Sequence, residues 1–482
     1  MEPLLPLDLR LPPAGSRTRA QALHGALRSA ILDGRLAPGL RLPSTRALAA
    51  SLGVGRNTVI AAYGWLLGEA YIEARPGSGH QVSALASRTP PAARRPASRT
   101  SDDPRLAPLY RGLGAEAARA PERAWAYDFR LGVPDAAQLP QDLWRRLSAR
   151  SLRALARRDA GYASAQGQPA LREAIAAHVS LTRAVSCGAD DILVTSGAQQ
   201  AFDLLARVLV TAGQTVVAVE HPGYPPTCRA FEAAGARIVR VPVDDEGLVV
   251  ERLPPQARVI CVTPSHQFPL GCVMSPRRRA DLLAFAQRHH AVIVEDDYDA
   301  EFRYAGRPLD ALQTLDGSGT VCYVGTFSKS LFPALRLGFV VAPPWALAPL
   351  VAARERADWH GNLLVQQTLA AFMAEGHLAR HVRKMRGLYA QRRAALLQGL
   401  ASDCGAWLSA LPGEAGLHLA ARTAPQVDAD RLVERARAEG IGVSSIARYG
   451  TAPQVPAGLL FGFGAITPAA IRAGLARLAD LA

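Results

Sequence analysis

The sequence predicts a multidomain protein: a small N-terminal α+β unit built on a helix-turn-helix, a linker, and a large α/β domain. That domain has a mainly parallel central sheet and a smaller α+β subdomain near the C-terminus. Three observations predict it. Residues 1–84 hold short helical patterns that end in a Gly-rich hairpin. Residues 85–124 are rich in Pro, Ala, Arg and Ser with no sustained apolar period. From Trp125 onward, apolar runs of strand length such as "DILVTSG", "TVVAVEHP", "AVIVEDDY" and "LGFVVAP" alternate with helical patterns. Such runs belong to a sheet covered on both faces. The boundaries are therefore 1–84, a linker over 85–124, and 125–482, with the small subdomain over roughly 385–482.

In the first unit, Leu23, Leu27 and Ile31 stand four apart and give one helix an apolar face. Ser44 can cap a short helix, "TRALAASL", that Gly53 ends at a tight turn. Asn57 or Gly55 opens the next helix, which runs to Glu69. In a helix-turn-helix the second helix offers its N-terminal side chains to the DNA major groove. Here those are Arg56, Asn57 and Thr58, with Arg46 on the preceding helix for phosphate. The tail "YIEARPGSGHQV" forms a wing in which Arg75 and His80 flank the glycines. "LPSTRALAASLGVGRNTV" closely resembles the core of the GntR family of winged-helix regulators. The candidate DNA contacts are Ser44, Arg46, Arg56, Asn57, Thr58, Arg75, Gly77, Gly79 and His80. Gly55 stands where that family usually carries a capping Ser.

The linker, if flexible, spans roughly 35 Å. The net charge of +14 suits a polyanionic partner, double-stranded DNA, and is densest per residue before residue 125. Six scattered cysteines with no C-x-x-C indicate neither a disulfide framework nor a metal site. The first residues lack the pattern of a signal peptide, and prolines interrupt the uncharged run 337–353. A cytoplasmic location with no membrane partner is expected.

Only Lys329 and Lys384 among 55 Lys and Arg residues are lysine. Arginine cannot act as an amine nucleophile, because its guanidinium stays protonated; a lysine with a lowered pKa can. Lys329 follows the strand pattern "TVCYVGTF", with Thr326 and Ser328 before it and Arg336 after it. Asp296 and Tyr298 end another apolar strand, and Tyr224 a third. Amides at the helix start near Ala198 and Gln199 can hold a phosphate. Groups at the carboxyl ends of strands converge on one crevice. An amine, a carboxylate, a phosphate nest, an arginine and an aromatic ring together suit pyridoxal 5'-phosphate.

From about residue 126 onward these motifs resemble the fold-type I pyridoxal-phosphate enzymes of the aminotransferase class. The resemblance implies that Lys329 forms the internal aldimine and that Asp296 pairs with the pyridine nitrogen. Tyr298 would bond the ring oxygen, and Tyr224 would stack on the ring. Ala198, Gln199, Thr326, Ser328 and Arg336 would hold the phosphate, and Tyr162 would reach that of a partner subunit. Two departures stand out. In "TPSHQFPLG", Phe268 occupies the place of an Asn donor to the ring oxygen, with His266 beside it as a candidate site residue. On the C-terminal strand, Leu460 stands where the class carries an arginine for the substrate carboxylate, and Arg448 is a possible substitute.

The whole architecture resembles the MocR family of transcriptional regulators. This implies a head-to-tail homodimer that senses pyridoxal phosphate or an amino compound through an internal or external aldimine and changes promoter binding. An active aminotransferase with an accessory DNA-binding domain is the alternative.

Overall fold

The computed structural model describes residues 11–13, 16, 18–75, 79–84, 103–111, 125–157, 161–299, 301–306, 309–450 and 455–482. The chain divides into two compact units, Met1–Arg119 and Ala120–Ala482.

In the first unit, α1 (Arg19–Leu32) buries Leu23, Leu27 and Ile31 along one face. Helix α2 (Thr45–Leu52) starts where the Ser44 side chain accepts the Ala47 N–H at 3.1 Å. It ends at Gly53, whose φ of +59° turns the chain where a side chain would be strained. Helix α3 (Arg56–Gly68) follows, its Val59, Ala62, Tyr63 and Leu66 packed on α1 and α2. Strands β1 (Ile72–Arg75) and β2 (Gly79–Val82) pair antiparallel, and Arg41 bridges to Gln81.

The second unit opens with α4 (Gln141–Leu155) and α5 (Pro169–Arg183) and also carries α10 (Leu363–Ala374). It is built on an eight-stranded sheet: β3 (Ile192–Thr195), β4 (Val216–His221), β5 (Arg237–Asp244), β6 (Gly247–Leu248), β7 (Ala257–Val262), β8 (Val292–Asp297), β9 (Val321–Thr326) and β10 (Gly338–Val341). Their spatial order is β3-β10-β9-β8-β7-β4-β5-β6. Strands β9, β8, β7, β4 and β5 are parallel, as the apolar runs predict. Strand β10 runs antiparallel to both its neighbours and β6 to β5, so the sheet is mixed. The reason at β10 is chain length. Strand β9 ends at Thr326 and β10 starts at Gly338, which leaves too few residues for a parallel crossover.

Alternate strand residues feed different cores. Val217, Val219, Val259 and Cys261 pack with α6 (Ala198–Leu209), α7 (Pro225–Ala233) and α9 (Pro344–Asp358). Val216, Ala218, Ile260 and Val262 pack on the other face with α8 (Pro276–His289).

The small subdomain holds an antiparallel sheet in the order β11 (Leu408–Ala410), β12 (His418–Thr423), β14 (Gly458–Gly462), β13 (Ser444–Ser445). Helices α11 (His377–Asp403), α12 (Ala429–Ala438) and α13 (Pro468–Ala479) complete it. It also takes in the start of the unit. Gly442 N–H bonds the Tyr127 carbonyl at 2.8 Å and Gly462 N–H bonds that of Phe129 at 2.8 Å. Arg392 on α11 pairs with Asp135 at 2.6 Å. Among the described residues, no helix is long and apolar enough to cross a membrane.

Candidate functional site

Strand β8 and the β9–β10 connection meet at the carboxyl end of the parallel strands, and they set Lys329 near Asp296. Lys329 Nζ donates to the Gly132 carbonyl at 2.8 Å. Gly132 has φ +70°, which favours glycine, and a Cβ there would fall 2.5 Å from Nζ and displace the amine. Burial lowers the Lys329 pKa, against the pull of Asp299 and Asp296. Asp296 is itself buried, and desolvation pushes its carboxyl up to about 8; Asp297 and Asp299 reinforce this and Lys329 opposes it. Its Oδ1 is buried with no hydrogen-bond partner. A buried carboxylate oxygen left unpaired is costly, and a protonated ring nitrogen would complete it.

The parts expected to hold an anion lie on either side of Gly338. That residue stands opposite both Thr326 and Thr195 in the sheet register, and a Cβ on it would come 3.0 Å from Gly197. Gly197, φ +83°, turns the chain into α6, so Ala198 and Gln199 occupy the first turn, where N–H groups have no carbonyl one turn back. Arg336 crosses to this point: its Nη2 donates to the Ser196 carbonyl at 2.7 Å. Thr326 Oγ1 donates to Ser328 Oγ at 3.0 Å and accepts the Ser328 N–H at 3.2 Å. Four parts suited to a phosphate thus share one end of the sheet: the α6 start, a guanidinium and two hydroxyls.

Tyr298 and His266 form a pair. Tyr298 Oη lies 3.0 Å from both His266 Nδ1 and the His266 carbonyl. His266 is buried rather than a free loop residue, and its Nδ1 also lies 3.0 Å from Asp299. His418 packs beside it, with its Nε2 3.0 Å from the Pro269 carbonyl. His266, Asp299 and His418 offer ligand atoms within 4.8 Å of one another; His266 Nδ1 is bonded to Asp299 and His418 Nε2 to the Pro269 carbonyl, while His266 Nε2 is buried without a partner. Phe268 sits edge-on to Tyr224, Tyr298 and Tyr449. Tyr224, at the start of α7, is 40 % exposed. With Asp296, Glu220 and Arg448 it lines a cavity of ≈ 480 Å³.

Two predicted positions stand apart. Tyr162 is 78 % exposed, with its ring tilted against Trp359 at 4.1 Å between centroids. Leu460 is buried in β14 against Ala420 and Ile446, in an apolar cluster. Sequence reasoning missed Gly132, Glu220, Asp299 and His418. Glu220 accepts from Thr263 Oγ1 at 2.6 Å and from Gln267 Nε2 at 3.4 Å, and burial pushes it up to about 7. The position of Glu220 at the end of an apolar strand was a usable signal; a glycine carbonyl such as that of Gly132 leaves none.

In the first unit, Arg46 is exposed in the first turn of α2, Arg56 and Asn57 are exposed at the start of α3, Thr58 is half-buried, and Ser44 serves as the α2 cap. Arg75 and Gly79 are exposed at the hairpin, and Arg75 pairs with Glu73 at 3.3 Å. His80 is half-buried, with its ring 5.1 Å from that of Tyr63. Gly77 lies outside the described residues.

Residues 130–478 match the aminotransferase class I and II family, and residues 19–82 match the bacterial regulatory proteins of the gntR family. The probable rhizopine catabolism regulatory protein MocR of Rhizobium meliloti is 39% identical over 94% of this chain and 91% of its own. The HTH-type transcriptional regulator TauR of Rhodobacter capsulatus is 35% identical over 97% of each. Among solved structures, Pyrococcus horikoshii kynurenine aminotransferase, in complex with PMP, superposes with a TM-score of 0.69 at 26% identity. It covers 77% of this chain and 96% of its own.

Proposed function

The chain belongs to the MocR-type transcriptional regulators, a GntR-family DNA-binding domain joined to a class I and II aminotransferase domain, and from that premise we propose that its large domain holds pyridoxal phosphate on Lys329 as a sensor. One observation carries the reading: a buried amine beside a buried carboxylate whose inner oxygen has no partner. Lys329 supplies the nucleophile, and burial favours the neutral amine that can attack an aldehyde. Asp296 receives the ring nitrogen, and Tyr224 covers the ring. The α6 amides, Thr326, Ser328 and Arg336 hold the phosphate. Bound there, pyridoxal phosphate supplies an aldehyde carbon that a primary amine can occupy, which makes the site selective for amino compounds.

Sensing is favoured over turnover because Leu460 leaves the usual carboxylate position apolar, and the guanidinium that lines the cavity, Arg448, comes from a different element. The effector is the cofactor itself or an amino compound, and it acts by binding one conformation of the regulator more tightly than the other. The protein works in the cytoplasm as a head-to-tail homodimer, with Tyr162 of each copy serving its partner's site. Arg56, Asn57 and Thr58 read base edges while Arg46 meets phosphate.

Adding pyridoxal phosphate to the full chain is expected to give an absorbance band that Lys329→Ala abolishes; no band would overturn the reading. Arg56→Ala is expected to weaken promoter binding and leave the band intact. Multiple-turnover transamination of an amino donor would replace the sensor with a catalyst.

A further inference from the structure

One buried cluster extends behind Tyr298. His266, in the loop after β7, and Asp299, just past β8, are each 2 % exposed. His266 Nδ1 lies 3.0 and 3.1 Å from the two carboxylate oxygens of Asp299 and 3.0 Å from Tyr298 Oη. A ring nitrogen facing a carboxylate carries the proton, so the Nδ1–H is offered to the carboxylate and to the phenol oxygen together. The phenol hydrogen points to the His266 carbonyl, 3.0 Å away, and can rotate to another acceptor. A hydroxyl that accepts one hydrogen bond donates a stronger one.

The small subdomain closes on this pair. Gly416, φ +77°, lies just before β12, and a Cβ there would fall 2.2 Å from His266 Cε1 and 2.3 Å from Asp299 Oδ2. From β12 itself, His418 stacks at 4.8 Å on the His266 ring. Burial pushes its pKa down to about 3, so it brings no competing charge. Phe268, on the other flank of Tyr298, has no donor to offer.

We propose that Asp299 and His266 are a positioning pair for Tyr298: they hold its hydroxyl ready to donate to the ring oxygen of the cofactor, as the one side chain left for that task beside Phe268. Gly416 is the residue that allows the small subdomain to pack on the pair. The inference rests on the reading of Lys329 given above.

A hydrogen bond donated to the ring oxygen stabilises its negative charge. With the cofactor held on Lys329, such a bond would make the oxygen less basic and so lower the pH at which the Lys329 nitrogen would lose its proton. Loss of the donor therefore raises the pH at which that proton leaves. Asp296 and Asp297 on β8, Asp299 after it, Glu220 on β4, Lys329 after β9 and His418 on β12 also face this region. All of them remain when His266 is replaced, so a change on that replacement reports the pair.

The test is a pH titration of cofactor absorbance in the full chain loaded with pyridoxal phosphate. Tyr298→Phe is expected to raise the midpoint by about one pH unit and His266→Gln by about half a unit, the scale of one hydrogen bond. In the Tyr298→Phe background, His266→Gln is expected to add almost nothing, because the histidine acts through the phenol. His266→Asn supplies the same cycle if the glutamine variant does not fold. Additive shifts, or an unmoved midpoint in His266→Gln, overturn the positioning role. Absence of any band in the unsubstituted protein overturns the reading of Lys329 and this proposal with it; a normal band with unmoved midpoints overturns this proposal alone.

Discussion

At position 329 an arginine would supply charge and nothing else, whereas the buried amine of Lys329 can shed its proton. Lys329→Arg is therefore expected to keep the fold and lose the cofactor band, read by absorbance beside circular dichroism. Its carboxylate neighbour makes a second prediction, about pH. Without cofactor, burial pushes Asp296 up to about 8 and Glu220 and Glu295 each up to about 7. These folded values lie above the unfolded range, so the folded state binds more protons and stability falls as pH rises through that window. His418, pushed down to about 3, works the opposite way, but only below about pH 6.5. Lys329, its pKa lowered by burial, opposes the three carboxyls, so the expected effect is a difference: between about pH 6.5 and about pH 8 the unfolding temperature of the cofactor-free protein is expected to fall more steeply, or rise less, than that of Asp296→Asn. Parallel profiles in scanning calorimetry would contradict it. Asp296 and Lys329 were legible in the sequence because each follows an apolar strand. Asp299 was not, because its partner His266 is brought to it by the fold from 33 residues away.

Among the elements, those that carry their own signal were readable. Ser44 before α2 and Gly53 after it fix that helix, and the long apolar runs fix β4, β7, β8 and β9. The antiparallel β10 could be inferred only by counting residues after β9. Strands β6 and β13, two residues each, have no period to detect. The inclusion of residues 125–135 in the small subdomain rests on pairing across some 300 residues, which local pattern does not encode. The caps give a stability prediction. Ser44→Ala is expected to cost about 1 kcal/mol, through loss of the bond to Ala47 N–H. Gly64 lies inside α3 with open space around an added Cβ, so Gly64→Ala is expected to gain roughly 0.5–1 kcal/mol. Denaturant titration of the N-terminal unit's transition in the full chain would check both.

At the scale of the whole molecule, Tyr162 lies exposed against Trp359, and the cofactor reading gives it a task in a partner. If each site takes Lys329 from one copy and Tyr162 from the other, two damaged proteins can repair one another. Lys329→Ala has no amine to hold the cofactor, and Tyr162→Ala has the amine but weakened phosphate binding. A mixed dimer contains one site in which an intact Lys329 faces an intact Tyr162 from the partner, and a second site that carries both defects. Refolding the two variants together is expected to produce a tight cofactor band in up to about half of the mixed dimers' sites, as closed two-fold pairing dictates. Neither variant alone would show it at the same low cofactor concentration. A mixture that binds only as the sum of its parents would mean that Tyr162 serves its own chain or none, and that the two sites are independent.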